Sequence, residues 1–112
     1  VTDQGDEDLA GELIREAALA RLREEIPHAV AVEIDGIEKA RKGVVVRAAI
    51  LVETESQKRV AVGRGGSMVR EIGTAARETL SRLWGIPVHL DLMVKVRSGW
   101  RQDDDLLGRL GL

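Results

Sequence analysis

The chain has 112 residues, 44% of them hydrophobic, which is enough for one globular domain with a modest core. No run of about 18 apolar residues is present, so no membrane-spanning helix is expected, and the acidic, polar opening lacks the pattern of a signal peptide. There is no cysteine, which excludes a disulfide framework, a thiolate metal site and a cysteine nucleophile. The formal net charge of -2 argues against nucleic-acid binding by bulk charge, but the charges are unevenly placed.

Residues 1–7 are polar, charged and aperiodic, and read as a flexible lead-in. The start at Val1 rather than Met points to a segment of a longer protein. A helix is expected from about Asp8, where Ile14, Ala18, Leu22 and Ile26 recur every four residues beside Leu9, Leu13 and Ala17. Pro27 should stop it, with His28 satisfying the helix end. Two strands follow. Val30, Val32 and Ile34 alternate with Ala31, Glu33 and Asp35. After a charged loop, Glu38 to Lys42, and Gly43, the residues Val44, Val46, Ala48, Ile50 and Val52 form a second inward row. The short loop makes these an antiparallel hairpin.

Ser56 is placed to cap a short helix ending near Ala61. Gly63-Arg64-Gly65-Gly66 interrupts it, and a second helix carries Met68, Val69, Ile72, Ala76, Leu80 and Leu83 at helical spacing. Gly85 and Pro87 close that helix. A third strand spans about Val88 to Arg97. Val88, Leu90, Leu92, Val94 and Val96 form its inner row; His89, Asp91, Met93, Lys95 and Arg97 form its outer row. A short last helix runs from about Asp103 to Leu110, its three aspartates serving as an N-terminal cap. The expected fold class is α+β, with helices packed on one face of a three-stranded mixed sheet, and the domain covers residues 8–112.

The turn is the strongest site candidate. Three glycines in four residues let the backbone take positive φ and approach a ligand closely. The entrance of the following helix offers amides to an anion, and Arg64 brings charge to the tip. From Ser56 to Arg82 six cations, Lys58, Arg59, Arg64, Arg70, Arg77 and Arg82, face only two acids, Glu71 and Glu78. That local excess suits a sugar-phosphate strand. A GxxG pattern is weak alone, and the second copy at Gly108-Arg109-Leu110-Gly111 reads as a helix breaker. The turn is no nucleotide-hydrolase loop, because G-x-x-x-x-G-K-[ST] is missing, and no G-x-G-x-x-G dinucleotide fingerprint is present. Neither histidine has zinc-ligand spacing, and no Ser-His-Asp arrangement emerges. With only Trp84 and Trp100 as aromatics, both read as packing residues, and a base-stacking platform is not expected.

These residues resemble a type II KH domain and, more closely than KH domains at large, the C-terminal KH domain of the bacterial Era family of GTPases. The likeness runs through Glu12-Leu13-Ile14-Arg15-Glu16, Glu25-Ile26-Pro27-His28, Val32-Glu33-Ile34 and Ser56-Gln57-Lys58. It continues through Val62-Gly63-Arg64-Gly65-Gly66, Ile72-Gly73-Thr74-Ala75-Ala76-Arg77, Leu90-Asp91-Leu92, Val94-Lys95-Val96 and Gly99-Trp100-Arg101. Three positions depart from the family pattern: Arg64 stands for a Lys, Ala61 for a bulky aliphatic, which would widen the groove, and Met93 for a Trp.

The resemblance implies an RNA-binding domain that grips about four nucleotides of a single strand, the 3′ end of small-subunit ribosomal RNA, during assembly of the small ribosomal subunit in the cytoplasm. The contacts expected are Lys58, Arg59, Val62, Gly63, Arg64, Gly65, Gly66, Ser67, Met68, Arg70, Ile72 and Arg77, with Val69 in the aliphatic floor. A covalently linked GTPase domain is the implied partner, and peripheral membrane association is implied as well. No cofactor is expected in this stretch, since GTP and Mg²⁺ belong to that GTPase domain, and no enzymatic activity is expected of the domain itself. Two alternatives remain from the residues: a KH-like protein-interaction module holding a peptide in its apolar groove, and an enzyme acting on phosphorylated ligands, for which no acid, base or metal site is in view.

Overall fold

A computed structural model describes residues 3–26 and 30–111. Its elements are α1 (Gln4–Leu22), β1 (Ala31–Lys39), β2 (Val44–Val52), α2 (Glu55–Val62), α3 (Ser67–Trp84), β3 (Val88–Val96) and α4 (Asp104–Leu110), with single 3-10 turns at Arg64–Gly66 and Trp100–Gln102. The sheet order is β1-β2-β3, antiparallel between β1 and β2 and parallel between β2 and β3. This is the α+β, mixed-sheet arrangement expected of a type II KH fold.

The first helix begins earlier than its apolar stripe suggests. Asp3 is the N-cap: its carboxylate accepts from the Asp6 amide at 2.9 Å, and the Asp6 side chain returns to the Asp3 amide. Acids in a first turn also favour the helix dipole. The charged stretch read as a lead-in is therefore, from Gln4, part of the helix. Its stripe is as expected, with Ala10, Ile14, Ala18 and Leu22 buried. The helix ends at Leu22, before Pro27; that proline and His28 lie outside the described residues.

β1 runs on to Lys39, through what reads in sequence as the start of a loop. The reason is a bulge. Ile34 pairs with Ala48 and Gly36 with Arg47, leaving Asp35 as an extra residue. The insertion resets the alternation, so that Ile37 is buried beside Ile34, where strict alternation would put Gly36.

The main core lies between the sheet and the three longer helices: Ile14, Ala18 and Leu22 of α1, Ala61 of α2 and Ile72 and Ala76 of α3 meet Val32, Ala48, Ile50, Val52 and Val94. On α3 the expected stripe holds at Ile72, Ala76 and Leu80, but Leu83 is 60% exposed. The alternation of β3 is as expected. The second half of β2 is buried on both faces. Ala49 and Leu51, which point away from the helical layer, join Ala31 beneath Trp100 and Leu106, with Leu107 and Leu110 against them. So α4 covers the sheet face opposite the turn, and Trp100, 5% exposed, is a packing residue. Trp84 is half-buried in the cluster around Leu80.

Candidate nucleic-acid interface

The turn is built by two helices that cannot merge. Thr54, not Ser56, caps α2, accepting from the Gln57 amide at 3.1 Å. Gly63 ends α2 with φ 76° and ψ 172°, its amide bonded to the Arg59 carbonyl at 2.9 Å. That backbone state is essentially reserved for glycine. Contact demands glycine too: a Cβ on Gly63 would lie 2.7 Å from the Met68 amide nitrogen and from Met68 Cβ. Gly65 (φ 62°) and Gly66 (φ 80°) are also left-handed, but a Cβ on Gly65 meets nothing within 4 Å. Gly65 thus faces open space.

The Gly66 amide donates to the Gly63 carbonyl at 3.1 Å, and the Ser67 amide to the Arg64 carbonyl. Two of the amides expected to meet an anion are thereby used to hold the turn. The first turn of α3 stays uncapped by any side chain, because its N-cap is Gly66, so its remaining amides and positive dipole end are available to a ligand.

Around the turn the side chains divide. Arg64, Ser67, Arg70 and Arg59 are exposed, and Lys58 is half-buried. Arg59 lies in the last turn of α2, where a cation also suits the dipole. Val62, Met68 and Val69 are half-buried, and Val60 is exposed, giving an aliphatic margin. Two expected contacts fall outside this surface. Ile72 has no exposure at all and is core, because a helix repeat turns it onto the sheet. Arg77 stands ten residues beyond Ser67, about 15 Å along α3, and lines a different hollow, with Ser81, Gly85 and His89. Ala61 is also fully buried, so its small size is absorbed in the core and does not widen a surface groove. Met93, on the outer row of β3, is exposed.

What the residue pattern missed was Arg70 as a brace. Its guanidinium donates to the Gly65 carbonyl at 3.2 Å. The separation of five residues, from a turn into a helix, was the only signal for it. A larger hollow of about 940 Å³ lies away from the turn, between the start of α1, β1 and the end of α4, and its walls carry Glu7, Asp8, Glu12, Glu33 and Asp35 against Arg15 and Arg109. The molecule is thus basic at the turn and acidic at that hollow. Among the described residues no group of three His, Asp or Glu side chains gathers to hold a metal, and no helix is long and apolar enough to cross a membrane.

Comparison with known proteins agrees with the geometry. The KH domain family matches residues 25–101. GTPase Era of Mycobacterium tuberculosis is 49% identical over 115 residues that take in 99% of this chain, and GTPase Era of Mycolicibacterium smegmatis is 45% identical over 114 residues. The chain spans 38% of the length of these curated relatives. Among solved structures, an Era variant from Aquifex aeolicus bound to GDP and aluminium fluoride superposes with a TM-score of 0.88 at 36% identity, over 93% of this chain and 36% of that one. Era in complex with MgGDPNP and nucleotides 1506–1542 of 16S ribosomal RNA superposes with a TM-score of 0.87 at 36% identity, over 93% of this chain and 35% of that one. With the likeness carried through the turn, the helices on either side of it and all three strands, the chain belongs to the KH domain family and is similar to the KH region of Era GTPases.

Proposed function

We propose that this domain binds single-stranded RNA as the recognition module of an Era-type ribosome-assembly GTPase, and that its strand is the 3′ end of small-subunit ribosomal RNA. The observation that carries this is the turn itself. Gly65 and Arg64 are exposed at the entrance of an uncapped eighteen-residue helix, with Lys58, Arg59 and Arg70 beside them. Backbone amides and a dipole end meet phosphate; glycines let the strand lie close; guanidinium groups supply charge-assisted contacts. KH turns take about four nucleotides of single strand this way. The structurally similar Era seen with a 16S ribosomal RNA segment supports the choice of strand. In the longer relatives a GTPase part accompanies this domain, and its nucleotide state would govern access to the turn.

The test is a titration of the domain with RNA from the 16S 3′ end and with scrambled strands of equal length, at several salt concentrations. The expected result is preference for the native strand and a log–log salt slope of about −0.7 per phosphate neutralised. Binding that ignores salt would instead favour a peptide held along the aliphatic margin, and no binding to either strand would remove the proposal.

A further inference from the structure

β1 is an edge strand of the sheet, and its open side is a groove. Four consecutive residues, Val32, Glu33, Ile34 and Asp35, all line the hollow of about 940 Å³. Side chains of a strand alternate between its faces, so a space reached by all four runs along the edge and not over one face. Asp8, Gly11, Glu12 and Arg15, one flank of α1, form one wall, and the end of α4 forms the other. Gly11 lets α1 come in close: a Cβ there would lie 3.6 Å from Ile34.

Every second residue of an edge strand turns its N–H and C=O away from the sheet. Among the described residues, no hydrogen bond reaches the main chain of residues 32–35 from outside the sheet. The nearest such contact stops short of them, with Arg15 Nε donating to the Val30 carbonyl at 3.2 Å. Unpaired main chain of this kind is a template for another strand.

The charges decide which strand. Five acids line the groove, on α1 and β1, against Arg15 and Arg109. Arg109 stands 4.0 Å from Glu33, and among the described residues no cation pairs with Glu12 or Asp35, both of them exposed. A second copy of β1 is a poor occupant, because pairing two such edges sets Glu33 and Asp35 against the same acids. A nucleic-acid strand is repelled for the same reason.

We propose that the β1 edge takes a short, extended, lysine- and arginine-rich segment of a partner protein as a fourth strand. Main-chain hydrogen bonds hold the segment along residues 31–34, up to the bulge at Asp35. Its alternating side chains place cations against Asp8 and Glu12 on the α1 side and against Glu33 on the α4 side. The groove lies on the opposite edge of the sheet from β3, and its reading does not depend on that of the turn as an RNA grip.

The experiment titrates the 112-residue chain into a fluorescently labelled peptide, Lys-Lys-Val-Lys-Val-Lys-Lys, blocked at both ends. Two further peptides serve as comparison: one with every lysine replaced by glutamate, and the basic one N-methylated at its three central residues, which keeps the charge and removes the main-chain donors. The basic peptide should bind, more weakly as salt rises, and the acidic one should not. N-methylation should cost about tenfold or more in affinity, and so should Glu12→Lys combined with Asp35→Lys in the protein. Amide exchange at residues 32–35 should slow in the complex. Equal binding of the N-methylated and unmodified basic peptides would show attraction by charge alone and overturn the fourth strand. Unchanged affinity in the folded double variant, or a dimer in sedimentation that the basic peptide splits, would overturn it as well. All of these readings are taken without RNA, so they leave the role of the turn untouched.

Discussion

Arg70 donates to the Gly65 carbonyl at 3.2 Å, so a side chain from the second turn of α3 braces the main chain at the tip of the proposed RNA grip. The contact is exposed, and its worth to folding is small. Its worth to binding is larger, because the same guanidinium keeps other N–H groups free for a phosphate while fixing the carbonyl. Arg70→Lys should keep the salt slope and lose affinity several-fold, since an ammonium lacks the planar fork. Arg70→Ala should lose affinity further and lower the slope by about 0.7. Both variants should unfold within about 0.5 kcal/mol of wild type. Binding titrations across a salt series check this, and equal affinity in Arg70→Lys and wild type would dismiss the brace.

The two ends of the turn should respond differently to a methyl group. On Gly63 the added carbon collides with the Met68 backbone, in a φ, ψ region that only glycine occupies readily. Gly63→Ala should therefore cost about 3 kcal/mol. At Gly65 the methyl meets nothing, and only the left-handed conformation is penalised, by about 1 kcal/mol. Denaturant midpoints of the two variants read the difference. For the same reason Arg64→Asp combined with Gly65→Asp should retain the circular dichroism of the wild type while abolishing RNA binding, because two carboxylates then face the phosphates from a turn that still folds.

Helix capping separates Thr54 from Ser56. Thr54 Oγ1 accepts from the Gln57 amide at 3.1 Å, and Ser56 lies inside the helix. Thr54→Ala should destabilise by about 1 kcal/mol, and Ser56→Ala by less than about 0.5 kcal/mol. A thermal unfolding comparison suffices, and a larger loss at Ser56 would return the cap to it.

Periodicity made the elements readable where one face alone is buried. Ile14, Ala18 and Leu22 on α1, and Val88 to Val96 on β3, report their faces directly. The turn was readable because three glycines in four residues serve little else. Periodicity fails where a second constraint acts. The bulge at Asp35 breaks the two-residue repeat, so β1 looks shorter than it is. Asp3 and Asp6 cap a helix by side-chain hydrogen bonds that carry no hydrophobic signal. Ile72 and Arg77 sit close to the turn in sequence, yet a helix rotates one into the core and carries the other about 15 Å away. The burial of Ala49 and Leu51 depends on a helix more than fifty positions later, which no local pattern records.

That late helix gives the sharpest contrast between pattern and packing. Leu83 and Leu106 are both leucines on amphipathic helices, but Leu83 is 60% exposed and Leu106 is 1% exposed, seated on the sheet face away from the turn with Trp100. Truncating Leu106 to Ala removes buried methyl groups and leaves a cavity under α4, which should cost about 2–4 kcal/mol. Leu83→Ala should stay within about 0.5 kcal/mol of wild type. Neither residue touches the turn, so below its melting transition Leu106→Ala should bind RNA as wild type does. Equilibrium denaturation together with a binding titration measures both quantities. A stability loss at Leu106 no larger than at Leu83 would mean that α4 does not seal the outer face of the sheet in solution.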